Sequence, residues 1–225
     1  MDLKTRKEVI DHLYSFISES KKKRMNQVLG ERTKFLTLVL EDVYQPQIVS
    51  SIVKTCDCFG IQDLHLVENF NKYSASPDAI IAATKWVNIH RYREKNSNNT
   101  QLAINELRDS GYQIVTVTNN RRATSIDEFP MDKKTAVIFG PEKSGPSDVA
   151  IKQADAFVKI PLLGFSDYLN LPVTTGAALN SLRHRMVQSK AKWQLDENEI
   201  DEVKYFWAHK LLKSADRLED VFLNK

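Results

Sequence analysis

The chain has 225 residues, 42% of them hydrophobic and 27% charged, with a formal net charge of +3. This is ordinary for a soluble globular protein, long enough for a real core and for one domain with appendages or two small ones. No run approaches about 18 apolar residues, which excludes a membrane span. The opening stretch MDLKTRKEVIDHLYSF lacks a continuous apolar segment and a small-residue cleavage site, so it is not a secretory signal, and the expected compartment is the cytoplasm.

Val9, Ile10, Leu13, Tyr14 and Ile17 recur at helical spacing and predict an amphipathic helix over about 3–19. The run Lys21-Lys22-Lys23-Arg24 follows as a linker or helix end. Residues 1–34 carry nine Lys and Arg against five Asp and Glu, and residues 183–192 add Arg183, Arg185, Lys190 and Lys192 with no acid. Such clusters can meet phosphates, and they can equally be solvated helix faces.

The centre alternates strands and helices. A dense β-favouring run occupies FLTLVLED (35–42). A helix follows over about 47–59, with Ile48, Val49, Ile52, Val53, Cys56 and Phe59 on one side and Gly60 as its stop. Cys56 and Cys58 lie two apart in this helix, where side chains do not face each other, so free thiols are expected. The five histidines show no ligand spacing, and no metal is expected.

A strand at DLHLV (63–67) precedes a short helix opened by Pro77 and Asp78, and Val87 to Tyr92 alternates again. Thr100 is read as the cap of a helix ending near Gly111. QIVTVT, TAVIF and FVKI are short apolar runs of the kind buried in parallel sheets. Helices close the pattern at about 172–188 and, as one further helix, from Asp196 onward.

Strands alternating with helices imply a mainly parallel α/β sheet covered on both faces. Ligands of such sheets sit in loops beyond the strand carboxyl ends. Three loops qualify: Thr118-Asn119-Asn120, Gly140 to Gly145, and Leu162 to Ser166. Gly140 lets backbone come close to a ligand, and Gly145-Pro146 suits a turn into a helix. A plain strand–turn–helix junction would look the same. Neither G-x-G-x-x-G nor a P-loop occurs, which argues against an unrelated nucleotide-binding domain.

Taken together in order, three stretches resemble the motifs of the SpoU family of RNA 2′-O-ribose methyltransferases, and within it the TrmH-like group. They are YQPQIVSSIVKTCDCFG (44–60), FGPEKSG (139–145) and IPLLGFSDYLN (160–170), with Thr84-Lys85-Trp86 similar to a short K-W element. The resemblance covers about residues 35–187. It implies a SPOUT-type parallel sheet with a C-terminal deep trefoil knot, a feature that sequence physics alone would not propose. It implies a methyltransferase domain over 35–188, an N-terminal basic tRNA-binding extension over 1–34 and a C-terminal helical extension over 189–225.

The resemblance also implies a function: transfer of a methyl group from S-adenosylmethionine to the 2′-oxygen of guanosine-18 in the tRNA D-loop, by a homodimer. Carried over by position, Val117, Thr118, Gly140, Ile160, Leu162 and Leu169 bind the cofactor, and Lys54, Glu142, Tyr168 and Asn170 hold catalytic positions. Lys21, Lys22, Lys23, Arg24, Arg183 and Arg185 are the RNA-binding candidates.

The chain departs from the family pattern at Ile48, where Asn is usual, at Lys54, where a catalytic Arg is usual, and at Tyr168, where Ser is usual. Pro172 replaces a small polar residue, while Asp57, Glu142 and Asn170 are retained. Lysine cannot copy the bidentate guanidinium fork but yields a proton more readily when desolvated. Ile48 reads as a core residue of its helix, and Tyr168 either crowds the target nucleotide or stacks on its base. A second class therefore stays open: an RNA-binding homologue with weakened or lost transfer.

Overall fold

The computed structural model describes residues 1–43, 45–70 and 85–224. Tyr44, the helix expected at Pro77 and Asp78, and Thr84 lie outside them. Residues Thr33–Trp193 form one unit, and Met1–Arg32 with Gln194–Lys225 form another.

The larger unit is built on a seven-stranded sheet: β1 (Leu36–Glu41), β2 (Asp63–Val67), β3 (Asn88–Tyr92), β4 (Gln113–Val117), β5 (Thr124–Ser125), β6 (Thr135–Phe139) and β7 (Ala156–Lys159). The spatial order is β3-β2-β1-β6-β4-β7-β5, and every pairing is parallel. The sequence expectation of a parallel α/β sheet is met. Every residue of β1, β2 and β6 is buried, which is why these strands read as near-continuous apolar runs.

Strand alternation sorts the core into two layers. Leu36, Leu38, Leu40, Val137 and Phe139 face one layer, where α3 (Pro46–Cys58) supplies Val49, Ile52, Val53 and Cys56. Leu179, Leu182 and Met186 join them from the 18-residue helix Leu171–Gln188, which is α6. Val39, Ala136 and Ile138 face the other layer, against Ala103, Ile104 and Leu107 of α4 (Asn99–Asp109) and Ala150 of α5 (Asp148–Lys152). Ile48 is partly buried and packs on the first layer, as its helical spacing predicts. Cys56 is buried, Cys58 exposed, and both are free thiols.

One helix end differs from the sequence reading. The cap of α4 is Asn98, whose side chain accepts from the Gln101 amide at 3.0 Å. Thr100 lies inside the helix, and its hydroxyl turns to Glu41. Pro46 and Pro172 both sit in first turns, where a missing N–H leaves no intrahelical bond unmade.

The second unit contains α1 (Leu3–Ser15), α2 (Glu19–Leu29), α7 (Glu197–Leu211) and α8 (Ala215–Leu223). Val9, Leu13, Ala208 and Ala215 form its centre, with Tyr14, Tyr205, Leu218 and Phe222 around them. The basic run is therefore not a linker: Met25 and Leu29 anchor α2 and carry Lys21 to Arg24 on a helix. The tail is not one helix either. Leu212 is extended (φ −94°, ψ 115°) and breaks it in two. Asp196 and Glu199 make a capping box at the start of α7. The Arg32 guanidinium lies 5.5 Å from the Trp207 ring centre, and both large side chains are buried. Among the described residues no helix is long and apolar enough to cross a membrane.

Candidate functional site

A cavity of about 350 Å³ opens at the carboxyl ends of β4, β6 and β7, where parallel sheets bind ligands. Its walls come from the three loops that the sequence singled out. Val117, Thr118 and Asn119 follow β4, Gly140 to Pro146 follow β6, and Ile160, Leu162 and Asp167 to Leu169 follow β7. Phe139, Leu171 and Thr174 complete the lining.

The β6 loop folds on itself. The Gly145 amide donates to the Pro141 carbonyl at 2.8 Å, and Gly145 takes φ +68°, a conformation suited to glycine. A Cβ on Gly140 would lie 2.3 Å from backbone atoms of Gly145 and Pro146. Gly140 is thus required by the loop's own closure, a different reason from the ligand approach expected from sequence. The β4 and β7 loops are tied where the Asn119 side-chain amide donates to the Asp167 carbonyl at 2.8 Å.

Glu142 accepts the Leu171 amide at 2.6 Å. That bond caps α6 from a distance, and the cap position itself, Asn170, makes no side-chain capping bond. Asn170 is exposed, and its two chain neighbours line the cavity. Tyr168, half-exposed, stands at the cavity wall.

All six sequence-named cofactor positions line this cavity, and so do Glu142 and Tyr168. Lys54 does not: it is exposed on α3, beside Thr55, whose methyl group lies 4.0 Å from where a Cβ on Gly176 of α6 would stand. Asn119, Lys143, Asp167 and Thr174 also line the cavity and went unnamed as site residues. Asn119 and Lys143 lay in loops already in view and Asp167 in a stretch already singled out, while Thr174 lay in the helix that follows.

The basic candidates divide. Lys21, Lys23 and Arg24 are exposed on α2, while Lys22 pairs with Glu19 at 2.7 Å. Arg183 stacks on Trp193 at 4.2 Å. Arg185 donates to the carbonyls of Asp127, Glu128 and Phe129. These two arginines make contacts within their own unit.

A parallel α/β sheet with a loop-built cavity at its carboxyl edge defines a small-ligand-binding α/β protein of the doubly covered kind. The sequence model of the SpoU rRNA Methylase family matches residues 35–180, and the chain belongs to that family. It is 32% identical to the tRNA (guanosine(18)-2'-O)-methyltransferase of Borreliella burgdorferi, over 93% of this chain and 94% of that one. Its fold resembles the TrmH/SpoU tRNA modifying enzyme of Aquifex aeolicus, with a TM-score of 0.73 and 27% identity over 85% of this chain and 96% of that one. The AdoMet-bound rRNA methyltransferase of Sinorhizobium meliloti shares the fold at a TM-score of 0.60 and 22% identity, covering 69% of this chain and 58% of that one.

Proposed function

We propose that the protein transfers a methyl group from S-adenosylmethionine to the ribose 2′-oxygen of guanosine-18 in tRNA. The observation that carries this is the cavity, formed by the same three loops that hold the family motifs, in a chain whose relatives at full length bear that activity in their names. Those names do not favour the non-catalytic reading.

The cofactor fits the residues present. A volume of about 350 Å³ is in the range of small-ligand pockets. Val117, Ile160, Leu162 and Leu169 offer an apolar slot for a purine, with backbone groups of the same loops at its edges. When bound, S-adenosylmethionine supplies an activated methyl group on a positively charged sulfur. The chain has to hold the ribose hydroxyl in line with that group and exclude competing water.

Glu142 fixes α6 against the cavity floor through the Leu171 amide. Asn170, exposed between two lining residues, offers an amide that can both donate to and accept from a ribose hydroxyl. Tyr168, at the cavity wall, offers an aromatic ring for stacking on the target base. A lysine works as a base when burial strips its water. The exposed position of Lys54 favours a phosphate contact instead, for which a flexible point charge suffices. Lys21, Lys23 and Arg24, exposed on α2 of the helical unit, are further candidates for phosphate contact.

The deep trefoil knot belongs to this reading. α6 packs on α3 and is also held through Ser181 and Arg185 to residues 126–129, contacts compatible with a threaded C-terminal segment. So does a homodimer. Leu163 and Phe165 are fully exposed and Val173 half-exposed, an apolar surface that a second copy would cover.

The test is methyl transfer from labelled S-adenosylmethionine to an unmodified tRNA transcript and to the same transcript with adenosine-18. Transfer to the first alone is expected. Equal transfer to both would contradict the assignment of the target.

A further inference from the structure

We infer that Glu41 is a positioning residue for the cofactor: its buried carboxylate fastens the far end of the Gly140–Ser147 loop, and so governs cofactor affinity without touching the cavity. The inference rests on the cofactor reading above. Glu41 is the last residue of the inner strand β1 and is 1% exposed. It is not among the residues lining the cavity, and neither is Ser147.

Three donors converge on this carboxylate. The Ser147 amide donates to one oxygen at 2.7 Å, and the Ser147 hydroxyl donates to the other at 2.6 Å. The Thr100 hydroxyl donates to that second oxygen as well. Both hydroxyls already accept a bond: the Asn69 side-chain amide donates to Thr100 at 2.8 Å, and the Ala150 amide to Ser147 at 3.2 Å. Each hydroxyl has one proton to give, and both give it to Glu41. An acceptor-only carboxylate completes this arrangement; an amide in its place would turn an N–H₂ toward a donor.

The consequence lies in what Ser147 ends. The loop leaves β6 at Gly140, closes on itself at Gly145, and carries Glu142 to the start of α6. Its near end is fixed by β6, which pairs with β1. Its far end is fixed by Glu41 on that same β1. One strand therefore sets both ends of the loop that supplies seven consecutive lining residues, Gly140 to Pro146. A loop held this way is arranged before the ligand arrives, and loosening it raises the ordering cost of binding.

The test compares wild type, Glu41→Ala and Glu41→Gln. Hydrogen exchange of the ligand-free proteins reads the loop directly. The expected result is faster exchange in Glu41→Ala confined to residues 140–150. Calorimetry with S-adenosylmethionine should show a dissociation constant raised about tenfold or more, with Glu41→Gln between the two. A lowered melting temperature with exchange in 140–150 and affinity both unchanged would overturn the inference, because the carboxylate would then serve stability alone. If Glu41→Ala does not fold, Thr100→Val and Ser147→Ala carry the same readouts and the same criterion. Failure of wild type to bind S-adenosylmethionine would sink the cofactor reading; the exchange experiment still decides whether Glu41 holds the loop.

Discussion

Lys54 is exposed on α3, outside the cavity that Glu142 and Tyr168 line. If it meets a tRNA phosphate, Lys54→Ala should weaken tRNA binding and lower methyl transfer about tenfold or more, while Lys54→Arg keeps or raises both. Steady-state transfer with tRNA as the varied substrate checks this, and an unchanged Lys54→Ala enzyme would remove Lys54 from the site. A different residue makes a pH prediction. His65 is buried, its Nδ1 lies 3.0 Å from the Tyr92 hydroxyl, and its ring stacks on His90, which pairs with Asp63. Burial, helped by His90 and opposed by Asp63, pushes its pKa from 6.5 down to about 3. Between those values the unfolded chain binds a proton that the folded chain refuses, so this contribution to stability falls as pH falls. The slope is about 1.4 kcal/mol per pH unit. Urea titrations from about pH 6 to pH 4 should show this slope reduced in His65→Gln; an identical slope would mean that His65 is not the group responsible.

Among the residues, what was legible followed from chemistry that a single position carries. The apolar Ile48 could be placed from type and spacing, and Glu142 through the motif resemblance. Glu41 could not, because its meaning lies in Thr100 and Ser147, 59 and 106 residues away. Nor could the structural duties of Arg183 and Arg185: an arginine in a basic stretch looks the same whether it faces phosphate, a tryptophan or its own carbonyls.

The elements were the most readable scale, and the exceptions are physical. β1, β6 and β4 announced themselves because strands buried on both faces must be apolar throughout. β5 has only Thr124 and Ser125 and makes its pairing with β7 through backbone alone, leaving no side-chain pattern to read. The tail's two helices share one apolar periodicity, and the break at Leu212 is a backbone event without proline or glycine. The β6 loop gives the sharpest prediction here. Gly140→Ala forces a Cβ onto the backbone of Gly145 and Pro146, so the loop must open. Cofactor affinity should drop at least about tenfold, with a destabilisation of order 1–3 kcal/mol. Calorimetry and thermal melting check both, and a variant that binds as tightly as wild type would show that the loop's closure is dispensable.

In the whole molecule, the two chain ends meet in one helical unit, a pairing invisible to a reading that treated them as separate extensions. The larger unit carries the cavity and, next to it, Leu163 and Phe165 fully exposed. Sedimentation should find a dimer, and Leu163→Asp with Phe165→Asp should shift it to monomer by placing charges in a buried apolar contact. A wild-type monomer at micromolar concentration would refute the dimer. The central claim is methyl transfer to one ribose, and mass mapping of nuclease fragments after reaction with S-adenosylmethionine tests it most directly. The account predicts a single new 2′-O-methylguanosine, at position 18 of the tRNA. A methyl group on a base or another nucleotide, or none from a folded protein that binds S-adenosylmethionine, would contradict it.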